Sequence, residues 1–263
     1  MMFALMNHGD AMAAAAIAIA ILMVGTWFVS LVLKNASIVD LIWGFGFVVV
    51  GWVTYLGSDT TSALSTLSLA LVTIWGLRLA VYLTWRNHGK GEDFRYVAMR
   101  KRWGQRFPII SLFTVFGLQG MIMWVVSLPV QLVMTKSDSD IGLLAVLGAV
   151  LWAIGLAFEA IGDAQLTRFK SNPSNAGKVM NRGLWRYTRH PNYFGDACVW
   201  WGLAIIALTV TPWGLVGAAL MHLFLRRVSG VTLLEKSLVK RREGYAEYIK
   251  VTSPFIPRPP KKS

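Results

Sequence analysis

Seven apolar stretches divide the chain, near residues 11–33, 38–56, 63–85, 109–134, 141–160, 193–210 and 212–231. A helix needs about 20 residues to cross the hydrocarbon core of a bilayer, and most of these stretches reach that length. The sixth and seventh are parted only by Thr211-Pro212 and Trp213-Gly214, which read as a tight hairpin. The sequence therefore predicts an all-α polytopic membrane protein with seven transmembrane helices. Charged residues make up only 15% of the chain, against about 25% in soluble domains.

The net charge of +13 raises the question of nucleic acid, and the placement of the charge answers it. Residues 86–106 hold seven Lys and Arg, residues 168–189 hold six, and the tail from Arg226 holds ten, together 23 of the 26. The loops at 57–62 and 211–214 hold none, and Lys136 stands against Asp138 and Asp140. Basic-rich and basic-poor loops alternate, which predicts an outer N-terminus and a cytoplasmic C-terminus. Topology accounts for the charge, so nucleic acid is not expected as a partner. No Lys or Arg precedes the first stretch, Asp10 stands there, and the run is too long for a signal-peptide core. With Cys198 as the single cysteine, no internal disulfide can form. One membrane domain over residues 1–263 is the economical reading.

Ionisable residues at membrane depth are functional candidates by default. Asp40 opens the second stretch in "SIVDLIWGFGF", as a first-turn acid or as a working group. Arg78, in the third stretch, either snorkels or faces a polar cavity. Glu159 and Asp163 share one face at the end of the fifth stretch, and like charges at that spacing repel unless something relieves them. His8, His88, His190 and His222 form no spaced pair, so no metal site is expected. Trp27, Trp52, Trp124, Trp152 and Trp213 suit interfacial or packing roles.

Two segments gather donors, acids and aromatics more densely than lipid attraction requires: "RNHGKGEDFRY" (Arg86 to Tyr96) and the run from Lys170 to Tyr193. The latter leads into "GLWRYTRHPNYFGD" (Gly183 to Asp196), at the mouth of an apolar stretch. Arginines grip phosphates, amides and acids bind ribose or carboxamide, and aromatics pack on rings. Such a set suits a large anionic cofactor. Neither GxGxxG nor GxxxxGK[ST] occurs, so helices and their loops must hold it.

"GLWRYTRHPNYFGD" resembles the cofactor motif of integral-membrane sterol reductases. With "VDLIWGFGF", "RNHGKGEDFRY" and "GYAEYIKVTSPFIPRPP", the chain looks like the bacterial DUF1295 branch of the steroid 5-alpha-reductase superfamily. The resemblance spans nearly all of the chain and is strongest from Glu159 onward. It implies a bacterial inner-membrane enzyme that reduces an activated carbon–carbon double bond of a steroid- or isoprenoid-like lipid with NADPH. The cofactor part is then about 159–263, facing the cytoplasm, and the lipid enters from the bilayer. Asp163 matches an acid at the cofactor, with Glu159 before it and Lys170 beyond. Arg186, Arg189, His190, Asn192, Tyr193 and Asp196 fall in the motif, and Glu235 and Tyr245 match an acid and a tyrosine near the cofactor. Lys90 and Arg95 add phosphate contacts from the earlier loop.

Hydride transfer to an enone develops negative charge on the carbonyl oxygen, which a hydrogen-bond donor must meet. The eukaryotic steroid reductases supply it from a Gln-Glu pair on the second helix and a tyrosine on the third. This chain has neither; Trp75 falls where the tyrosine, at the start of the third helix, is expected. Asp40 and Tyr96 are the catalytic candidates that remain, ahead of Tyr55 and Tyr82. Isoprenylcysteine and phospholipid methyltransferases form a rival resemblance, in which His190, Glu235, Tyr245 and Tyr248 serve S-adenosylmethionine. A non-enzymatic scaffold would leave the clustered polar motif without a role.

Overall fold

The computed structural model describes residues 8–59, 61–136, 140–228 and 231–261, and within them the chain is helical, without a strand. The N-terminal seven residues, Asp138 and Lys262, all part of the charge pattern, lie outside the described residues. The chain divides into two compact units. One comprises Met1–Gly142 with Ala207–Val216, the other Leu143–Ile206 with Gly217–Ser263.

In the first unit, α1 (His8–Leu33), α2 (Ile38–Leu56) and α3 (Ala63–Asn87) lie side by side, with α2 against both neighbours. Helix α3 opens on a reciprocal cap: Ser62 Oγ accepts from the Ser65 amide at 3.1 Å, and Ser65 Oγ accepts from the Ser62 amide at 2.8 Å. Trp75 lies midway along α3, fully buried, rather than at its start.

A continuous helical run, Phe94–Val126, follows. It comprises α4 (Phe94–Trp103), a 3-10 turn, α5 (Phe107–Ser111), a π-helical segment (Leu112–Gly117) and α6 (Leu118–Val126). The sequence pattern predicts a basic loop up to residue 106, yet the helix starts at Phe94. Asp93 caps it by accepting from the Arg95 amide at 3.0 Å, and no glycine or proline intervenes before Gly104. The run breaks at Ser127, because Pro129 has no amide hydrogen to continue the ladder into α7 (Leu128–Lys136). Beside the break the Trp124 carbonyl accepts from Gln131 Nε2 at 2.9 Å and from Ser127 Oγ at 2.8 Å.

The second unit is built on α8 (Leu143–Ser171), which outruns the expected end near residue 160. Beyond that point "DAQLTRFK" contains good helix formers and no breaker before Asn172-Pro173. Glu159 and Asp163 therefore lie inside the helix, not at its end. Helix α9 (Pro191–Ala207) runs antiparallel to α8 along a seam of glycines. A Cβ on Gly148 would sit 2.5 Å from the Gly202 carbonyl, and one on Gly155 would sit 2.5 Å from the Gly195 carbonyl. Gly162 completes the series against Pro191. The spacing of seven residues brings each glycine to the same face every two turns. Helix α10 (Gly214–Leu223), α11 (Val231–Arg241) and α12 (Tyr245–Val251) complete the chain.

The expected hairpin is present between α9 and α10. The Thr211 amide donates to the Ala207 carbonyl at 2.8 Å, and Gly214 packs where a Cβ would meet that of Ala207. Among the described residues, five helices are long and apolar enough to cross a membrane. With 17 and 10 residues, α9 and α10 are shorter than the sixth and seventh stretches predict, because Pro191 and the 211–213 turn bound one and a π-helical segment ends the other. Ile21 and Val32 on α1, Val81 on α3 and Leu143 on α8 are exposed. Such outward apolar side chains suit hydrocarbon rather than water.

Candidate functional site

The first unit carries a polar cluster where α2 and α4 begin. Helix α4 places Arg95 and Tyr96 on its first turn, and α2 places Asp40 on its own. Tyr96 Oη donates to Asp40 Oδ1 at 2.8 Å, and Arg95 Nη2 donates to Asp40 Oδ2 at 2.8 Å. Arg95 Nε also reaches Asp93 Oδ1 at 2.8 Å. The loops between helices are knitted to hold this arrangement. The Asp93 amide donates to Ser37 Oγ at 2.6 Å, the Ala36 amide to Glu92 Oε1 at 2.7 Å, and Arg100 Nη2 to Glu92 Oε1 at 2.8 Å. Burial pushes the Glu92 carboxyl up, but the Arg100 and Ala36 hydrogen bonds outweigh it and hold it below the usual range. Asp93 is likewise held low, burial being outweighed by Arg95.

Two residues that the sequence reading did not single out join this cluster. Gln119 Nε2 donates to Tyr96 Oη at 3.2 Å, and Trp43 Nε1 donates to Gln119 Oε1 at 2.5 Å. An amide inside the otherwise apolar 109–134 stretch was the available signal for Gln119. Trp43 carried none, being one tryptophan among 12.

The second unit holds the "GLWRYTRHPNYFGD" motif. Gly183 turns with φ +57° while the Leu184 amide donates to Gln165 Oε1 at 3.0 Å, a conformation that favours glycine. Trp185 Nε1 donates to the Gly162 carbonyl at 3.0 Å, and Tyr248 Oη to the Trp185 carbonyl. The C-terminal segment lies along the motif: the Arg189 amide donates to the Ser253 carbonyl at 2.9 Å, and Thr188 Oγ1 to the Phe255 carbonyl at 2.7 Å.

Arg189 is buried and engages Glu235 with two nitrogens, Nε at 2.6 Å and Nη2 at 3.1 Å. Its Nη1 donates to the carbonyls of Ile249, at 3.1 Å, and Thr252. Four of its five N–H groups are thus used within the protein. His190 Nε2 sits 3.0 Å from Glu235 Oε1, and the imidazole stacks on Tyr193 at 5.4 Å between centroids. Burial lowers the His190 pKa, against the raising influence of Glu235. Burial raises that of Glu235, but the His190 and Arg189 hydrogen bonds prevail and keep its carboxyl low. Tyr245 is pushed up by burial and by the nearby Glu235 charge. Asn192 Nδ2 reaches Asp163 Oδ1 at 3.4 Å, which gives one member of the acidic pair a neutral donor. Glu159 is buried beside the Gly195 backbone, and Asp196 lies one turn beyond Asn192.

Next to this knot lies an open cleft of about 1170 Å³, whose charged lining is Lys178, Arg182, Arg186 and Arg241 with Glu243 and Glu247. A smaller cavity of about 250 Å³ is lined by Lys170, Asn172, His190, Arg242 and Tyr245. Such cationic donor sets fit phosphate groups. The structure thus gathers Asp40, Arg95 and Tyr96 in the first unit. It gathers Lys170, Arg186, Arg189, His190, Glu235 and Tyr245 at the knot and its cavities in the second. Lys90 is exposed in the turn after α3. Among the described residues no three His, Cys, Asp or Glu side chains assemble as a metal site requires.

The chain belongs to a family described as a protein of unknown function (DUF1295), whose model matches residues 26–252. It is similar to 3-oxo-5-alpha-steroid 4-dehydrogenase 1 of Bos taurus, with 26% identity over 41% of this chain and 41% of that enzyme. A probable O-methyltransferase of Ustilaginoidea virens is 41% identical over 18% of this chain and 16% of its own length. The very-long-chain enoyl-CoA reductase of Dictyostelium discoideum is 34% identical over 30% of this chain and 27% of its own. The aligned stretches cover less than half the length of each of these relatives. The family match and the two reductases agree with the steroid reductase superfamily. No solved structure matches the chain.

Proposed function

We propose that the protein is a membrane-embedded reductase that uses NADPH to reduce an activated carbon–carbon double bond in a hydrophobic, steroid- or isoprenoid-like lipid. The observation that carries this reading is the 2.8 Å hydrogen bond between Tyr96 and Asp40. It couples a phenol to a carboxyl group, the pair needed to deliver a proton where charge develops. The likeness to a 3-oxo-5-alpha-steroid 4-dehydrogenase and to a very-long-chain enoyl-CoA reductase supports it. The proposed topology is seven spans, an outer N-terminus and a cytoplasmic C-terminus, in one membrane domain over residues 1–263. The nucleotide-binding part is about 159–263.

NADPH, when bound, supplies the hydride. Lys178, Arg182, Arg186 and Arg241 would hold its phosphates in the larger cleft, and Lys170 and Arg242 would serve the smaller cavity. Arg189 keeps the motif, α11 and α12 in register, so its part in binding is to shape the site. His190 and Tyr245 line the smaller cavity, and the resemblance assigns Asn192, Tyr193, Asp196, Glu159, Asp163 and Glu235 to a polar wall with them. When the β-carbon accepts the hydride, the electrons of the double bond move toward the carbonyl oxygen. Tyr96 gives its proton to that oxygen and takes the proton of a protonated Asp40, and water restores the carboxyl proton; the resulting enol ketonises by taking a proton from water at the α-carbon and releasing the oxygen proton. Donors aimed at such developing charge contribute about 100-fold or more.

A second reading is S-adenosylmethionine-dependent methyl transfer, favoured by the short likeness to the O-methyltransferase and by the His190–Glu235 contact. It gives the Asp40–Tyr96 pair no task. Binding of NADPH and of S-adenosylmethionine to purified protein separates the two. The reductase reading expects saturable NADPH binding, weakened about tenfold by Arg186→Ala, on the scale of one charge-assisted bond. Binding of S-adenosylmethionine alone would overturn it.

A further inference from the structure

Gln119 and Trp43 stand behind Tyr96, and their chemistry fixes a direction. A side-chain amide presents an acceptor at one end and a donor at the other, and either end can be turned toward a neighbour. An indole N–H can only donate. Trp43 Nε1 lies 2.5 Å from the amide end of Gln119, so that end must be Oε1, and Nε2 is turned to Tyr96, 3.2 Å from the phenol oxygen. Nε2 in turn can only donate. The phenol has one proton, and its oxygen already accepts from Gln119. With Asp40 ionised, and so able only to accept, that proton is aimed at Asp40 Oδ1, 2.8 Å away, while Oδ2 accepts from Arg95.

We infer that Trp43 and Gln119 are positioning residues that set the polarity of this hydrogen-bond chain and thereby tie proton release by Tyr96 to the protonation of Asp40. With Asp40 ionised, the phenol proton is committed to the carboxylate. With Asp40 protonated, the carboxyl donates to the phenol oxygen, whose two lone pairs then serve Gln119 and Asp40. The phenol proton is left as the free donor. Arg95 and, beyond it, Asp93 are the charged groups that face Asp40 from α4 and its preceding loop, and they tune when this happens. The consequence for turnover rests on the reductase reading; the direction of the chain does not.

The experiment reads the phenol directly. The difference in infrared absorption between the full-length protein in lipid and its Tyr96→Phe variant isolates the C–O band of Tyr96, which responds to whether the hydroxyl donates, accepts or does both. Trp43→Phe frees the amide to turn over, and Gln119→Glu replaces the donor with an acceptor that competes with Asp40 for the phenol proton. Both should shift or split the band while Lys250→Ala, at an exposed pair in the second unit, leaves it in place. An unshifted band in both variants overturns the inference, whatever the enzyme turns over. In single turnovers with NADPH and an enone lipid, Trp43→Phe should lower the rate about tenfold at unchanged KM, a fraction of a full acid–base contribution. Its fall in rate with rising pH should flatten. A shifted band in a protein that never oxidises NADPH would leave the polarity standing and remove the reductase reading.

Discussion

Asp40 and Glu235 are both carboxylates that meet an arginine and a second side chain with a mobile proton, Tyr96 in one unit and His190 in the other. They differ in how far they are used up. Arg189 and Glu235 have side-chain exposures of 6% and 17%, and the guanidinium is nearly saturated by Glu235 and two backbone carbonyls. Arg95 and Asp40 stand at 41% and 31%, and their chain ends in a phenol whose single proton can be redirected. A saturated network holds a shape; one with spare capacity can pass a proton. The same residue types thus serve as a knot in one unit and as a candidate reaction centre in the other.

That contrast is sharpest at the knot. Glu235→Ala leaves Arg189 buried with an uncompensated charge, a loss of about 3–5 kcal/mol for breaking one partner of such a pair. A thermal unfolding series should show Glu235→Ala and Arg189→Ala far below the parent protein, with Arg95→Ala close to it. Comparable losses at Arg95 and Arg189 would erase the distinction.

At the open network the effect should fall on chemistry instead. Asp40→Asn and Tyr96→Phe should each keep NADPH binding and lower single-turnover reduction about 100-fold, the scale of one lost donor at developing charge. Normal chemistry in both variants would place the proton donor elsewhere.

Acid should loosen the knot in two stages. His190 has a lowered folded pKa, so the unfolded chain takes the proton more readily, and stability begins to fall as pH drops through about 6.5. Glu235 is also held low, so its contribution, present at neutral pH, is lost further down as the carboxylate protonates. Melting measured from pH 7.5 to 2.5 should show both stages, and His190→Gln should remove the upper one. The smallest change belongs to Lys250→Ala. Its pair with Glu247 is exposed at 67% and 73%, and removal should move stability by no more than about 0.5 kcal/mol.

Much of the membrane architecture was legible, because a long apolar stretch in lipid has few alternatives to a helix. The first three stretches correspond closely to α1, α2 and α3. The edges were not legible where a local cap or a run of helix formers overrode the apolar pattern, as at Asp93 and beyond residue 160. Asp40 and Tyr96 could be paired by elimination, since few acids and phenols were available. The saturation of Arg189 could not be read, because Glu235, Ile249 and Thr252 are at least 46 residues away along the chain. Gln119 escaped for a related reason: a lone amide has no spacing partner, and its meaning arises only when Trp43 tells it which way to face.

The glycines between α8 and α9 have a consequence for how the protein can change. Two apolar helices in lipid meet no solvent that would punish sliding, so their register is held by shape alone. Here the teeth are Gly148, Gly155 and Gly162, and the last of them lies one residue before Asp163 and against Pro191, one residue before Asn192. A slip of a single residue would move α8 about 1.5 Å along α9, enough to part Asp163 from Asn192. Lipid-facing positions such as Val150 and Ile154 are therefore free to drift in sequence, while the seam behaves as a vernier that sets where the polar wall stands.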